Sequence, residues 1–317
     1  MLIDIVLLIT GLALIVWGAD FLVDGASAAA RKAGVSEFVI GLTIVGMGTS
    51  APEMVVSLIG AFEGNADVAV GNVMGSNIFN TLMILGLTAL ILPIGITPLN
   101  RRKDIPANIA ATVLMLLIGL RGTILGLGND TLGRAGGAVF LVLFGLYLFS
   151  CFKFDSKEAS QPGEKPVGTF KAILMILGGL VGLVAGGRLF VDNATALAKL
   201  MGVSDKFIAV TILAGGTSLP ELATCVVAAA KKKGQLALGN IIGSNIFNIL
   251  LILGTSAVVT PLSFGGIDLV DAGTLFISSV VLLLSAFTFG KDRVDRGEGA
   301  LLIAIWVAYM SWLIINV

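Results

Sequence analysis

The feature that most constrains this chain is an internal duplication. Residues 21–93 align with residues 189–261 without a gap, at a constant offset of 168 residues. The string GSNIFN occurs at 75–80 and again at 243–248, and GTSAPE at 48–53 is repeated as GTSLPE at 216–221. A shared register of this length indicates two copies of one structural unit, so we expect a fold built from two equivalent halves.

The composition places both halves in a membrane. Of the 317 residues, 56% are hydrophobic and 13% are charged, and the mean hydropathy is +1.02. A water-soluble core cannot absorb that much apolar surface. The zero net charge argues against nucleic acid as a partner. The absence of histidine excludes imidazole metal sites and histidine proton relays, and Cys151 and Cys225 lack the spacing of a metal or redox motif.

Ten apolar runs are long enough to span a bilayer. They lie near 2–24, 37–61, 68–93, 105–121, 132–152, 169–191, 205–230, 236–261, 270–289 and 299–316. The first run could pass for a signal peptide, but no Lys or Arg precedes it and it carries Asp4 and Asp20. We therefore expect a retained transmembrane helix there.

The polar stretch 153–168 divides the chain into two five-helix halves, 1–152 and 169–317. Because five is odd, the second half starts on the opposite side of the membrane. The predicted fold class is an all-α polytopic membrane protein with ten transmembrane helices as two inverted-topology five-helix repeats. Several secondary transporters share this design, with the substrate site at the midplane between the halves.

Loop charges predict the orientation in the cell membrane. With both termini outside and 153–168 as a cytoplasmic linker, 15 Lys and Arg residues fall on the cytoplasmic side and 5 on the external side. That bias agrees with the positive-inside rule. Asp20, Asp24 and Asp192 lie near the ends of the predicted spans, so we assign them to the membrane interface.

Each half also holds one carboxylate deep in an apolar helix, Glu53 and Glu221. Placing a charge at the bilayer centre costs at least about 2.5–3.5 kcal/mol, so such residues are usually functional. Thr49 and Ser50 lie four and three residues before Glu53 and share its helix face. Pro52 removes a helical hydrogen bond, which predicts a bent helix with exposed carbonyl oxygens.

The small residues beside these acids leave the backbone approachable. In the first copy the small residue is Gly46, and its equivalent in the second copy is Ala214. Thr217, Ser218 and Pro220 repeat the threonine, serine and proline of the first copy. The third and eighth helices add hydroxyl and amide oxygens, from Asn72, Ser76 and Asn80 in the first copy and from Asn240, Ser244 and Asn248 in the second. Asn77 and Asn245 could join them or serve only as interhelical hydrogen-bonding groups.

This donor set consists of oxygen atoms alone, which suits Ca²⁺ or Na⁺ and matches zinc or copper poorly. Two ionised glutamates balance one Ca²⁺ or two Na⁺, so the two cations could compete for one site, as exchange requires. Protons could also neutralise the carboxylates, so exchange of Ca²⁺ for H⁺ stays open. No nucleophile–base pair or cofactor motif is visible, so we expect neither an enzyme nor a cofactor.

The motifs GTSAPE with GNVMGSNIFN, and GTSLPE with GNIIGSNIFN, resemble the two alpha-repeats of the sodium/calcium exchanger family, within the cation/calcium exchanger superfamily. The resemblance covers essentially the whole chain and indicates the short prokaryotic type. It implies exchange of Ca²⁺ for Na⁺ by alternating access, with Glu53 and Glu221 as ligands shared by both ions. It also implies that helices 1 and 6 slide as a pair against the rest, which agrees with the glycines at 178, 179, 182, 186 and 187.

The resemblance assigns roles to the remaining residues. Hydroxyl and backbone oxygens would come from Thr49, Ser50, Thr217 and Ser218, and carbonyls from Gly46 and Ala214. Ser76 and Ser244 would flank the outer Na⁺ positions, and Asn80 and Asn248 would line the middle. Potassium-dependent relatives place a carboxylate at the position of Asn248, so the asparagine favours potassium-independent exchange.

The expected function is therefore a Na⁺/Ca²⁺ antiporter, electrogenic if the site holds more Na⁺ than its two charges balance. A Ca²⁺/H⁺ antiporter on the same scaffold is the alternative. A cation channel is less favoured, because an inverted repeat with two broken helices is typical of transporters. The expected partners are the two ions and the lipid bilayer, without an obligate protein partner.

Overall fold

The computed structural model describes residues 1–154, 167–202, 214–288 and 292–316. Nearly all of this part of the chain is helical. The helices are α1 (Leu2–Ala33), α2 (Glu37–Thr49), α3 (Ala51–Phe62), α4 (Ala66–Ile91), α5 (Ile105–Gly119), α6 (Arg121–Leu125), α7 (Arg134–Lys153), α8 (Thr169–Leu200), α9 (Ala214–Gly216), α10 (Leu219–Ala230), α11 (Gly234–Val259), α12 (Leu269–Ser285) and α13 (Arg296–Asn316).

Helix is present within all ten predicted apolar runs, as far as they are described. By length and composition, six of the described helices could each span a membrane, and α2 with α3 makes a seventh if that bent pair is one span. Helices α10 and α12 are apolar but shorter. Most of the linker 153–168, the start of the run at 205–230, and Lys157, Lys165, Lys206 and Lys291 lie outside the described residues.

Helix α1 is longer than its predicted span of 2–24. It continues to Ala33 and ends at Gly34, whose left-handed backbone (φ 67°) lets its N–H cap the carbonyls of Ala30 and Arg31. Asp20 and Asp24 therefore lie inside this helix and not at its end, and their assignment to the membrane interface stays a prediction. Asp192 likewise lies inside α8.

Helices α1 and α8 pack against each other along a line of glycines. The Cβ positions of Gly11 and Gly18 would lie 2.9 Å from the carbonyl oxygen of Gly186 and 2.7 Å from that of Gly179. Later residues of α1 meet earlier residues of α8, so the helices run antiparallel. They are also equivalent at the offset of 168, which maps Gly11 onto Gly179 and Gly18 onto Gly186.

The loops gather at two ends of the bundle. At one end, called here the linker end, β1 (Ile94–Gly95) pairs with β4 (Arg293–Val294), and Gln235 donates to the carbonyl of Gly95 at 2.6 Å. At the other end, the far end, β2 (Thr131–Leu132) pairs with β3 (Leu262–Ser263). These four two-residue strands are the part of the described chain that the all-α prediction missed.

Burial identifies the centre of the bundle. In their most apolar windows, 94% of α11 is buried, against 22% of α1 and 17% of α13. Helix α11 therefore lies inside, whereas α1 and α13 present large apolar faces outward, as a lipid-facing helix does. The polar residues of α11, Asn240, Ser244, Asn245 and Asn248, are all buried with it.

The glycine line gives a test of this packing. We expect Gly179→Ala to destabilise the protein by about 1–3 kcal/mol, the usual cost of overpacking, since the new Cβ would lie 2.6 Å from the backbone nitrogen of Leu22. Gly178→Ala is the matched control, because no atom of the described residues lies within 4 Å of that Cβ. Thermal unfolding of the two purified variants in detergent measures the difference, and equal midpoints would contradict the packing.

Candidate cation-binding site

Both predicted acidic motifs lie at breaks between helices. Helices α2 and α3 meet at Ser50 with a bend of 49°, which confirms the bend predicted for the first copy. Ser50 has φ −82° and ψ 10°, and Ser218, which precedes α10, has φ −89° and ψ 8°. Pro52 and Pro220 follow in the first turns of α3 and α10, where a missing N–H breaks no helical hydrogen bond. The bend is therefore present, but the predicted cause, a hydrogen bond lost to Pro52 inside a helix, was wrong.

Glu53 and Glu221 lie in those same first turns and are 0% and 1% exposed. The positive end of a helix dipole stabilises a carboxylate at this position. Each acid also accepts a hydrogen bond from the other half of the chain. Ser218 Oγ donates to Glu53 Oε1 at 3.0 Å, and Ser50 Oγ donates to Glu221 Oε1 at 2.7 Å.

The asparagines of GSNIFN form a second reciprocal contact. Asn80 Nδ2 donates to Asn245 Oδ1 at 3.2 Å, and Asn248 Nδ2 donates to Asn77 Oδ1 at 3.0 Å. The offset of 168 exchanges these two hydrogen bonds. Asn77 and Asn245 therefore connect the helices, one of the two roles that the sequence left open for them.

Asn80 and Asn248 lie in π-helical segments, Phe79–Ile84 within α4 and Phe247–Leu253 within α11. A π turn holds one more residue than an α turn and occurs often at functional sites. The segment Phe247–Leu253 contacts α3, and Phe79–Ile84 contacts α10. The asparagine segment of each half thus packs against the acidic helix of the other half.

A third set of bonds holds the end of α2 against α11. Thr49 Oγ1 donates to Asn240 Oδ1 at 3.2 Å, and Ser244 Oγ donates to the carbonyl of Gly46 at 3.3 Å. Asn240 and its copy Asn72 belong to the oxygen set predicted from the sequence, and Asn72 Nδ2 donates to the carbonyl of Glu53 at 3.1 Å.

Six predicted site residues each have one buried oxygen without a hydrogen-bond partner in the described part of the chain. These atoms are Glu53 Oε2, Glu221 Oε2, Asn80 Oδ1, Asn248 Oδ1, Ser76 Oγ and Thr217 Oγ1. An unpaired buried polar atom costs about 1–3 kcal/mol. Carboxylate, amide and hydroxyl oxygens are the kinds of ligand that Ca²⁺ prefers.

The electrostatics also favour a cation. Among the described residues no Lys or Arg is buried, and neither Glu53 nor Glu221 forms an ion pair there. The described residues hold no cluster of three or more His, Cys, Asp or Glu suited to a metal ion, in line with an oxygen site containing two carboxylates. Ala214 opens the short helix α9, and the surroundings of its side chain lie outside the description.

Comparison with known proteins decides the family. The family model described as "Sodium/calcium exchanger protein" matches residues 3–153 and 171–315. The chain belongs to the sodium/calcium exchanger family. This family consists of transmembrane antiporters, so this exchanger is a multi-pass membrane protein. Its length is that of the prokaryotic members of the family.

Individual relatives match over nearly the whole exchanger. It is 39% identical to the "Putative antiporter CaxA" of Alkalimonas amylolytica, over 98% of each chain. It is 33% identical to the "Sodium/calcium exchanger MaX1" of Methanosarcina acetivorans, over 97% of each chain. A solved structure of the sodium-calcium exchanger NCX_Mj, soaked with Na⁺ and Ca²⁺, superposes with a TM-score of 0.85 at 32% identity over 98% of each chain.

The reciprocal serine contacts of the exchanger predict a coupling pattern. We expect Ser50→Ala and Glu221→Gln to be non-additive by about 1 kcal/mol, because a hydrogen bond to a charged group is lost in either variant. The non-additivity of Ser50→Ala with Glu53→Gln should be smaller, since no hydrogen bond joins that pair. Thermal midpoints of the single and double variants, without Na⁺ or Ca²⁺, provide the measurement; stronger coupling within the Ser50–Glu53 pair would contradict the geometry.

Proposed function

We propose that this protein exchanges Ca²⁺ for Na⁺ across the cell membrane. The observation that carries the proposal is the pair of buried carboxylates, Glu53 and Glu221, with six unpaired oxygens on the predicted site residues. A net charge of −2 in this site attracts one Ca²⁺ or two Na⁺ equally well in charge terms. Relatives whose names specify sodium/calcium exchange, MaX1 and NCX_Mj, support the same ions.

The proposed ligands are the residues singled out from the sequence. Glu53 and Glu221 would bind both ions, and the neighbouring oxygens of Thr49, Ser50, Thr217 and Ser218 would complete their coordination. Gly46 and Ala214 would contribute carbonyls, Ser76 and Ser244 would flank outer Na⁺ positions, and Asn80 and Asn248 would line the centre. The cross-bonds Ser50–Glu221 and Ser218–Glu53 support a single site shared by both halves.

The proposed topology is ten transmembrane helices in two inverted repeats, 1–152 and 169–317, joined by a cytoplasmic linker at 153–168. Two observations support it. Helices α1 and α8 are equivalent in sequence yet run antiparallel, and the loops sort into two ends of the bundle. In this topology the linker end is cytoplasmic, and both termini lie outside.

The inverted design provides a mechanism of alternating access. A site on the axis between two oppositely oriented repeats is reached from one side in one arrangement and from the other side when the repeats exchange conformations. Binding of more Na⁺ than the two charges balance would make the exchange electrogenic. With asparagine at both 80 and 248, the site has no third carboxylate for K⁺, so we propose potassium-independent exchange.

A flux experiment tests the function. Proteoliposomes loaded with Na⁺ and diluted into potassium-free, Na⁺-free buffer should take up Ca²⁺ rapidly, and an imposed membrane potential should change the rate. A pH gradient of equal size without Na⁺ should give no uptake above empty liposomes. Uptake driven by the pH gradient and indifferent to Na⁺ would assign the protein to Ca²⁺/H⁺ exchange. Current without any coupled gradient would indicate a channel.

Two variants link the flux to the site. Glu53→Gln and Glu221→Gln should each abolish Ca²⁺ uptake while the protein remains monodisperse in detergent, because the site then lacks one of its two charges. Glu298→Gln is the matched control. Glu298, in the first turn of α13, is also buried, at 3% exposure, but it accepts its hydrogen bonds from Thr288 Oγ1 and the backbone N–H of Asp295. Retained uptake in either site variant would refute the central assignment.

The asparagine position predicts a change of ion preference. Asn248→Asp adds a third carboxylate to the proposed site, so we expect the ratio of Ca²⁺ to Na⁺ affinity to change by about tenfold or more, as one buried charge contributes well over 1.4 kcal/mol. Isothermal titration with each ion measures both affinities. An unchanged ratio would count against Asn248 as a lining residue.

A further inference from the structure

A strong ionic contact ties α1 to the end of α10. Lys231 Nζ lies 2.7 Å from Asp20 Oδ1 and 2.7 Å from Asp24 Oδ1. The two aspartates are one helical turn apart on α1, so they present a single acidic face. Partial burial alone lowers the pKa of Lys231, but its hydrogen bonds to Asp20 and Asp24 outweigh that effect and raise the pKa above its ordinary value. We call this contact the Lys231 latch.

The second half of the chain carries the same pair with both signs reversed. The offset of 168 maps Asp20 onto Arg188 of α8, and Lys231 onto Glu63 at the end of α3. Because both charges are reversed, Arg188 and Glu63 carry opposite charges, as Asp20 and Lys231 do. Glu63 and Arg188 are both exposed, and they form no ion pair with each other in the structure.

The two halves also differ in their hydrogen bonds near the site, where a contact is again made in one copy and not in the other. Thr49 bonds to Asn240 and Ser244 bonds to Gly46. Among the described residues, the copies of these two bonds, from Thr217 to Asn72 and from Ser76 to the carbonyl of Ala214, are not formed. A cavity of about 380 Å³ opens beside Thr217, lined by Pro52, Asn72 and Arg188 among others. Within the part of the chain that the structure describes, these contacts are therefore made on the side of the Lys231 latch and are not made on the side of Arg188.

We infer that the exchanger has two alternating latches, Lys231 with Asp20 and Asp24 on the cytoplasmic side, and Arg188 with Glu63 on the external side. The inference rests on the inverted topology proposed above. When the halves exchange conformations, each contact of one half passes to its copy. The Lys231 latch then opens, and Arg188 of α8 reaches Glu63 as α8 approaches α3.

The two latches are unequal. Lys231 binds two carboxylates, whereas Arg188 would bind only Glu63 and has Asp192 one turn away on its own helix. Asp192 is the copy of Asp24 and keeps its negative sign, so it repels Glu63 in the external latch. The pair of latches therefore favours the arrangement that is open to the outside when no ion is bound.

Distance measurements between spin labels test the latches. One labelled pair, Lys32→Cys with Ala230→Cys, reports on the cytoplasmic side. Its copy at the offset of 168, Leu200→Cys with Phe62→Cys, reports on the external side. The four sites are exposed, and the native Cys151 and Cys225 are buried, so only the introduced cysteines should react. Electron–electron double resonance is recorded in phospholipid nanodiscs without Na⁺ or Ca²⁺.

We expect Lys231→Met to shift the cytoplasmic pair toward longer distances and the external pair toward shorter ones. Each lost ion pair should change the ratio of the two populations by up to about fivefold. Lys232→Met is the matched control, because Lys232 is exposed and forms no ion pair in the described part of the chain. Arg188→Met should shift both pairs in the opposite direction, by reducing the externally closed population.

Two further sets of substitutions distinguish loss of the latch from misfolding. Lys231→Glu combined with Asp20→Lys and Asp24→Lys should restore most of the original distribution, and Asp20→Asn with Asp24→Asn should reproduce the effect of Lys231→Met. Distances in Lys231→Met equal to those in Lys232→Met would overturn the proposal. So would a shift of the same direction in Arg188→Met and Lys231→Met. These measurements contain no transported ion, so they can fail while the flux experiment succeeds, and the reverse.

Discussion

Two carboxylates buried without a basic side chain near them are the constraint on which the rest of this structure depends. Glu53 and Glu221 begin short helices, and each takes a hydrogen bond from a serine of the opposite half. Neither half can satisfy its own acid in this way. The acidic site therefore exists only once both halves are assembled, and the broken helices, the buried α11 and the asparagine contacts all serve to bring Ser50 to Glu221 and Ser218 to Glu53.

The reciprocal contacts explain which parts of the two copies stayed alike. Where an element packs against its own copy across a two-fold axis, residue i contacts j and the copy of j contacts the copy of i, as in a symmetric dimer. The glycine pairs of α1 and α8, the serine–glutamate pairs and the asparagine pairs all obey this rule. Away from the axis the copies diverge, as in Ser57 and Cys225, which receive the amides of Asn72 and Asn240.

Much of the candidate site could be predicted from the sequence, because the repeat itself identified the paired acids and Pro52 identified the bend. The π-helical segments at Phe79 and Phe247 could not, since a one-residue excess in a helix leaves no mark on an apolar pattern. The full length of α1 was missed because the polar residues after Asp20 interrupt its hydropathy, although Gly34 marks its end. The contact of Lys231 with α1 depends on tertiary packing between distant segments, which periodicity does not report.

The π-helical segments determine how the helical residues after them are oriented. A π turn closes with one more residue than an α turn, so α11 accommodates an extra residue in Phe247–Leu253 without changing the orientation of the residues that follow. The same residues wound as ordinary α-helix would rotate the rest of α11 by about 100° about its axis. Gly254, which lies against the carbonyl of Gly137 on α7, would then face another direction. A substitution that restored α geometry here without shortening the chain would therefore misorient the C-terminal part of α11. The same segment occurs in both copies, at Phe79–Ile84 and Phe247–Leu253, so the ungapped register of the two halves includes the extra residue in each.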